Sequence, residues 1–320
     1  MRGRRLGVGV VGKVRWRDEY VRANVADEPF ASFEAWLAEN VEWAAERAGT
    51  QWNQAYRRGR LYAFVHQSAA DDRAPLVAGA MVPSCDGAGR NFPLVVLGGI
   101  DAGPICEQPH MLPFLLEGFW GEASEAVISI MAQPVDLVQH LSRVSLDAVR
   151  LPDDAIASYT EWASALTLAE LWSLIYGESA QGAGRAARSV LDAVRPYRGT
   201  ERPKTPLTLR LPLGMAAGAA VCFWIDLVRR TAWWQKTVPT FFWSHDGTTG
   251  DMLLHLGTPP RSTLAELWLP TGRRDEFCDL TRPPDTEPAG AAEQSVGSLA
   301  AGLLAGAPGT VLDLLRASEA

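Results

Sequence analysis

Apolar residues between Leu76 and Leu97 fall in two blocks, Leu76-Val77-Ala78-Gly79-Ala80-Met81-Val82 and Leu94-Val95-Val96-Leu97, parted by a polar stretch rich in Asp, Gly and Pro. Blocks of that length bounded by turn residues predict a strand, a loop and a returning strand. Leu6 to Val11 predicts a first strand and Leu61 to Val65 another, the latter reached through a polar and aromatic segment, Gln51 to Gly59. The polar residues 67–73 read as the loop leading to Leu76. Asp27 to Ala48 carries Phe33, Trp36, Leu37, Val41 and Ala44 at helical spacing, with Asp27 placed to cap and Pro29 suited to a first turn. Sequential strands with short links favour antiparallel pairing, so the first 150 residues predict an α+β unit, a small antiparallel sheet with helices packed on it.

Further along, a helix is expected from Leu112 to Met131, and another opened by Pro134 with Val135, Val138, Leu141 and Val144 on one face. Leu151-Pro152-Asp153-Asp154 reads as a boundary, dividing residues 1–150 from an α+β extension over 151–280. In the extension, helices are expected over Thr167–Tyr176 and Gly184–Val194, with a loop from Tyr197 to Pro206. Leu207–Leu213 alternates as an exposed edge strand would, and Met215–Val228 reads as a buried helix. Thr240–Gly247 and Asp251–Leu256 flank a Gly-containing turn and predict a hairpin, with a short helix at Leu264–Leu269. The Pro, Ala, Gly and Glu composition of 281–309 reads as a flexible linker, so 281–320 is expected to be linker and tail, with one or two helical turns at Val311–Arg316.

Composition narrows the function classes. With 320 residues, 47% of them hydrophobic and 21% charged, the chain can bury a sizeable core. A net charge of −7 argues against nucleic acid as a partner. The twelve Trp belong mostly to the core, with some available to an interface. Cys85, Cys106, Cys222 and Cys278 form no C-x-x-C pair, and His66, His110, His140, His245 and His255 show no ligand spacing, so no metal is expected. His245 and His255 could still approach each other across the hairpin. Ser84, Asp86 and His245 could be imagined as a triad, but no G-x-S-x-G elbow accompanies them. Gly7, Gly9 and Gly12 spell G-x-G-x-x-G and run into Lys13, yet too few residues precede them for a strand leading into a phosphate loop, and Val14 stands where a P-loop needs Ser or Thr. A nucleotide-binding enzyme using Gly7–Lys13 is therefore the lesser alternative. Neither a secretory signal nor a membrane span is expected, the longest weakly charged run being Leu211–Ile225.

The loop between the two blocks reads Pro83-Ser84-Cys85-Asp86-Gly87-Ala88-Gly89-Arg90-Asn91-Phe92-Pro93-Leu94. Asp86 can hydrogen-bond the backbone two residues on, and Gly87 and Gly89 permit positive φ. Arg90, a cation among apolar residues, either snorkels or pairs with a carboxylate, Asp86 being the nearest. The stretch resembles the P-S-x-D-x-x-G-R-x-F-P-L signature of the TagF (ImpM) family of bacterial type VI secretion systems, matching at Pro83, Ser84, Asp86, Gly89, Arg90, Phe92, Pro93 and Leu94. Gly12-Lys13 and Val21 match the family's G-K-x-P-x-x-G-D-F-V, with Glu19 and Tyr20 as conservative replacements, while Arg15 and Asp18 depart from its Pro and Gly. Trp36-Leu37 resembles a helical pair of the family, and Trp243, Asp246, Gly247, Gly257 and Pro259 echo its aromatic strand and turn.

The resemblance implies a longin- or profilin-like N-terminal domain. It further implies a cytoplasmic, non-enzymatic, post-translational repressor without cofactor, whose partner is the forkhead-associated scaffold protein of the secretion system, other baseplate or membrane-complex components being possible partners. A structural adaptor of the apparatus is the alternative. Lys13 and Arg90 are then the candidate surface contacts.

Overall fold

A computed structural model describes residues 7–67, 75–101, 103, 105–146, 154–201, 203–269, 277–284 and 297–319. The basic N-terminal residues Arg2, Arg4 and Arg5, the loop at 68–73 and the boundary at 151–153 lie outside the described residues. In chain order the strands are β1 (Val8–Gly12), β2 (Val21–Ala23), β3 (Tyr62–His66), β4 (Leu76–Val82), β5 (Leu94–Ile100), β6 (Leu207–Pro212), β7 (Thr240–His245), β8 (Gly250–Leu256) and β9 (Phe277–Asp279). The helices are α1 (Glu28–Arg57), α2 (Leu112–Leu115), α3 (Glu117–Ala132), α4 (Leu137–Leu141), α5 (Ala155–Ala165), α6 (Leu168–Tyr176), α7 (Ala183–Val194), α8 (Ala217–Ala232), α9 (Thr263–Trp268), α10 (Ser298–Leu304) and α11 (Val311–Ala317).

The nine strands form one sheet in the order β2-β1-β5-β4-β3-β7-β8-β6-β9, antiparallel except for the β6–β9 pair. Pairing of β3 with β7, Phe64 opposite Phe242, joins strands nearly 180 residues apart into that sheet. Neighbouring residues along each strand point to opposite faces. Val10, Ala78, Val96, Phe241 and Leu254 enter one core, and Val11, Val77, Val95, Phe242 and Leu253 enter the other. Helices cover both faces, which is why the strands read as continuous apolar runs rather than alternating ones. The fold is thus mixed α+β, an antiparallel sheet flanked by helices.

One face carries α1 and α9. Phe33 stacks on Phe64 at 4.9 Å and Trp36 on Phe242 at 5.7 Å. The helix runs nine residues beyond Ala48, the expected end, because Gly49, at φ 48°, absorbs a kink. Its second half then buries Trp52 and Tyr56. The other face carries α3, through Trp120, Val127 and Ile130, and the helices of the second half, among them α8 with Trp224 and Val228.

Four further differences from the sequence expectations have local causes. β6 is not an edge strand but lies between β8 and β9, and its polar residues are buried with partners. Thr208 Oγ1 meets His255 Nδ1 at 3.0 Å, and Arg210 forms an ion pair with Asp251. His245 and His255 sit at opposite ends of the hairpin, opposite Gly250 and Thr240, and so do not approach each other. The helix expected from Pro134 starts at Leu137, with Asp136 as its cap accepting the Gln139 N–H at 3.1 Å. Residues 298–304, inside the segment read as linker, form α10. The end of the chain then packs as α11, capped by Thr310 and burying Val311, Leu314 and Leu315 in the core.

Candidate interaction site

The two family-like segments meet at the end of β1. Gly12 has φ 131°, and its Cα side lies against β5, where a Cβ would overlap Pro93 O and come within 2.7 Å of Leu94 Cα. Glycine is required there by both the backbone angle and the close approach. This approach delivers Lys13 to Asp86: the Lys13 ammonium lies 3.0 Å from Asp86 Oδ2. Arg90 donates twice to the same carboxylate, its backbone N–H to Oδ1 at 2.8 Å and its Nε to Oδ2 at 2.7 Å. Arg90 Nη2 also donates to Asp18 O at 3.1 Å, and Gly87 N–H donates to Arg17 O at 3.3 Å, tying the loop to the β1–β2 connection.

The remaining signature residues hold the loop's base. Tyr56 OH lies 2.9 Å from both Ser84 N and Ser84 O, fixing the loop to the end of α1. Cys85 and Asn91 pair as an antiparallel bridge, and Phe92 N–H donates to Ser84 O at 3.1 Å. Gly89, at φ 82°, makes the turn in which its N–H donates to Asp86 O. Phe92 meets Tyr20 edge to face at 5.3 Å, and Pro83 packs against Gly59. Glu19 pairs with Arg17 in solvent.

Charge and exposure divide the three ionic residues. The Asp86 side chain has no exposure, that of Lys13 18% and that of Arg90 64%. Desolvation pushes the Asp86 carboxyl up, but the hydrogen bonds from Arg90 and Lys13 outweigh it and bring its pKa down to about 2. Asp86 is therefore ionised throughout the physiological range. It acts as an internal anchor that holds Arg90 at the surface in one orientation.

The structure brings Gly12, Lys13, Pro83, Ser84, Asp86, Gly89, Arg90, Phe92 and Pro93 into one loop cluster. Trp36 and Trp243 lie elsewhere and on opposite faces of the sheet, Trp36 against Phe242 and Trp243 edge-on to Trp120 at 5.6 Å. Residues that sequence reasoning did not single out are Tyr56 and the carbonyls of Arg17 and Asp18. Their roles rest on backbone atoms and on distance in sequence, so no residue pattern signals them. Gly7–Lys13 runs through β1, and β2 rather than a helix follows it, so the strand–loop–helix order of a phosphate loop is not met.

A second ionic cluster is internal. Asp226 on α8 accepts from Arg229 and Arg230 and from Tyr159 OH, with His110 Nδ1 at 3.8 Å. Burial pushes its carboxyl up, while His110 and the two guanidiniums pull it below the usual range. Because His110 is itself neutral at pH 7, the guanidiniums carry the effect there. The four cysteines are free. Among the described residues no group of three His, Cys, Asp or Glu could hold a metal ion, and no helix is long and apolar enough to cross a membrane.

Architecture and site together define an α+β protein with a surface loop locked from within by a buried carboxylate. Residues 9–146 match the TagF N-terminal domain, Type VI secretion system-associated, and belong to that domain family. Among solved structures, the crystal structure of PA0076 from Pseudomonas aeruginosa PAO1 is similar at 14% identity and a TM-score of 0.47, over 84% of this chain and 96% of that one. Comparison with curated proteins found no significant match.

Proposed function

We propose that this protein is a non-enzymatic, post-translational repressor of a type VI secretion system. It binds the system's forkhead-associated scaffold protein and so keeps that scaffold from the rest of the apparatus. The observation that carries the reading is the membership of residues 9–146 in a secretion-associated domain family whose signature residues converge here on one preorganised loop. A loop already fixed by Asp86 loses little freedom on association, and its exposed guanidinium is the kind of anchor that dominates protein interfaces.

Arg90→Ala tests the contact. Most of the Arg90 side chain is in solvent, and in the variant the buried Asp86 keeps Lys13 and the residue-90 backbone N–H as partners, which limits the loss of stability. The expected result is about a tenfold loss of affinity for the purified scaffold by calorimetry, with a nearly unchanged melting temperature. Unchanged affinity, or a large fall in melting temperature, would make Arg90 a structural residue only.

A further inference from the structure

A second surface feature adjoins the base of the signature loop, where Pro83 packs against Gly59. Where the end of α1, the starts of β3 and β8, the strand β6 and the segment after β9 converge, there is an open cleft of about 630 Å³. Four guanidiniums line it: Arg58, Arg60, Arg210 and Arg282. They come from three places in the sequence, and only the fold assembles them.

The floor of the cleft is internally satisfied. Arg210 is buried, pairs with Asp251 and donates Nη1 to Glu266 O at 3.0 Å. Tyr62 OH lies 3.2 Å from Asp251 Oδ1 and from Leu267 O, and burial keeps this phenol protonated. The rim is different. Arg60 pairs with Asp246 at 3.6 Å, with both side chains about half exposed. Arg58 and Arg282 have no side-chain hydrogen bond or ion pair among the described residues. The other acid on the cleft, Asp279, is engaged by the Thr281 N–H and hydroxyl at 3.0 and 2.6 Å. The cleft thus carries more guanidiniums than carboxylates, in a chain whose net charge is −7.

Guanidiniums gathered around a concave, partly apolar wall repel one another and focus a positive potential into the cleft. A planar carboxylate is satisfied by one guanidinium fork. Forks from separate segments suit an oxyanion with three terminal oxygens. Leu267 and Trp268 supply apolar surface for the group that carries it. We infer that this cleft binds a phosphate monoester dianion, with Arg58, Arg60 and Arg282 as its direct contacts and the Arg210–Asp251 pair as the rigid floor. This holds whether or not the scaffold is the partner of the signature loop.

Calorimetric titration of the full chain with inorganic phosphate, with a capped phosphothreonine peptide and with the same peptide unphosphorylated tests this. Saturable binding of both phosphate probes and none of the unphosphorylated peptide is expected. Tighter binding of the phosphopeptide than of inorganic phosphate assigns a peptide source, and equal binding a free phosphate. The double variant R58Q/R282Q, whose residues are exposed, is expected to weaken binding about tenfold or more without lowering the melting temperature, whereas R261Q, at an exposed arginine outside the lining, is not. Absence of saturable phosphate binding in the millimolar range, or binding unaffected by R58Q/R282Q, would overturn the assignment.

Discussion

Lowering the pH from 7 towards 4 is expected to unfold the chain, and three buried histidines are the cause. His66, His110 and His255 are at most 4% exposed, and desolvation brings their pKa values down to about 3, 4 and 3. Asp226 opposes the shift at His110, and His66 adds to it at His255. Among the described residues neither ring nitrogen of His66 has a hydrogen-bond partner, and its ring sits against Trp36 and Phe33 at 4.8 and 5.2 Å. An unfolded histidine titrates near the ordinary value of 6.5, so between about pH 6.5 and 4 the unfolded chain holds up to three more protons than the folded one. Stability therefore falls as pH falls, by up to about 4 kcal/mol per pH unit. A domain's whole stability is only about 5–15 kcal/mol. Asp86 and Asp226, whose folded pKa values are depressed, add a further loss only below the ordinary carboxylate range, near pH 4 and under. Circular dichroism against pH reads this directly. The expected result is a cooperative loss of signal above pH 4, shifted to lower pH in His66→Phe. A melting temperature that stays constant from pH 7 to 4.5 would contradict it.

Gly12→Ala is expected to cost about 2–4 kcal/mol, from a strained backbone angle together with overpacking. The added methyl meets backbone, Pro93 O and Leu94 Cα, rather than a side chain that could turn away. Relief requires β1 and β5 to separate, which also withdraws Lys13 from Asp86. Urea unfolding of this variant, with Gly7→Ala as the comparison, measures the cost. No described atom lies within 4 Å of a Cβ at Gly7, so that substitution is expected to be nearly neutral. Equal stability of the two variants would remove the close approach as the reason for the glycine.

What was legible in the sequence follows from range. The strands β3, β4 and β5, the first part of α1 and the hairpin β7–β8 each announce themselves through contiguous patterns. The Arg90–Asp86 pair was readable because the two residues are four apart. Lys13 as a second partner of Asp86 was not, because the register of β1 on β5 brings it there from 73 residues away. The edge reading of β6 failed because Thr208 and Arg210 look solvent-facing until His255 and Asp251 supply their partners. The extension of α1 beyond Gly49 was hidden by a glycine that usually ends helices and here bends one. α5 was missed because, of its eleven residues, only Ala155 and Ala163 are fully buried, too weak a stripe to read. The arginine cleft has no linear signature at all.

Release of the secretion system's tube protein into the medium, with and without this gene, tests repression most directly. Release is predicted to rise on deletion, and to fall again when the wild-type gene, but not the Arg90→Ala gene, is restored. A loss of release on deletion would make the protein a required part of the apparatus. Unchanged release from a demonstrably active system would contradict a regulatory role altogether.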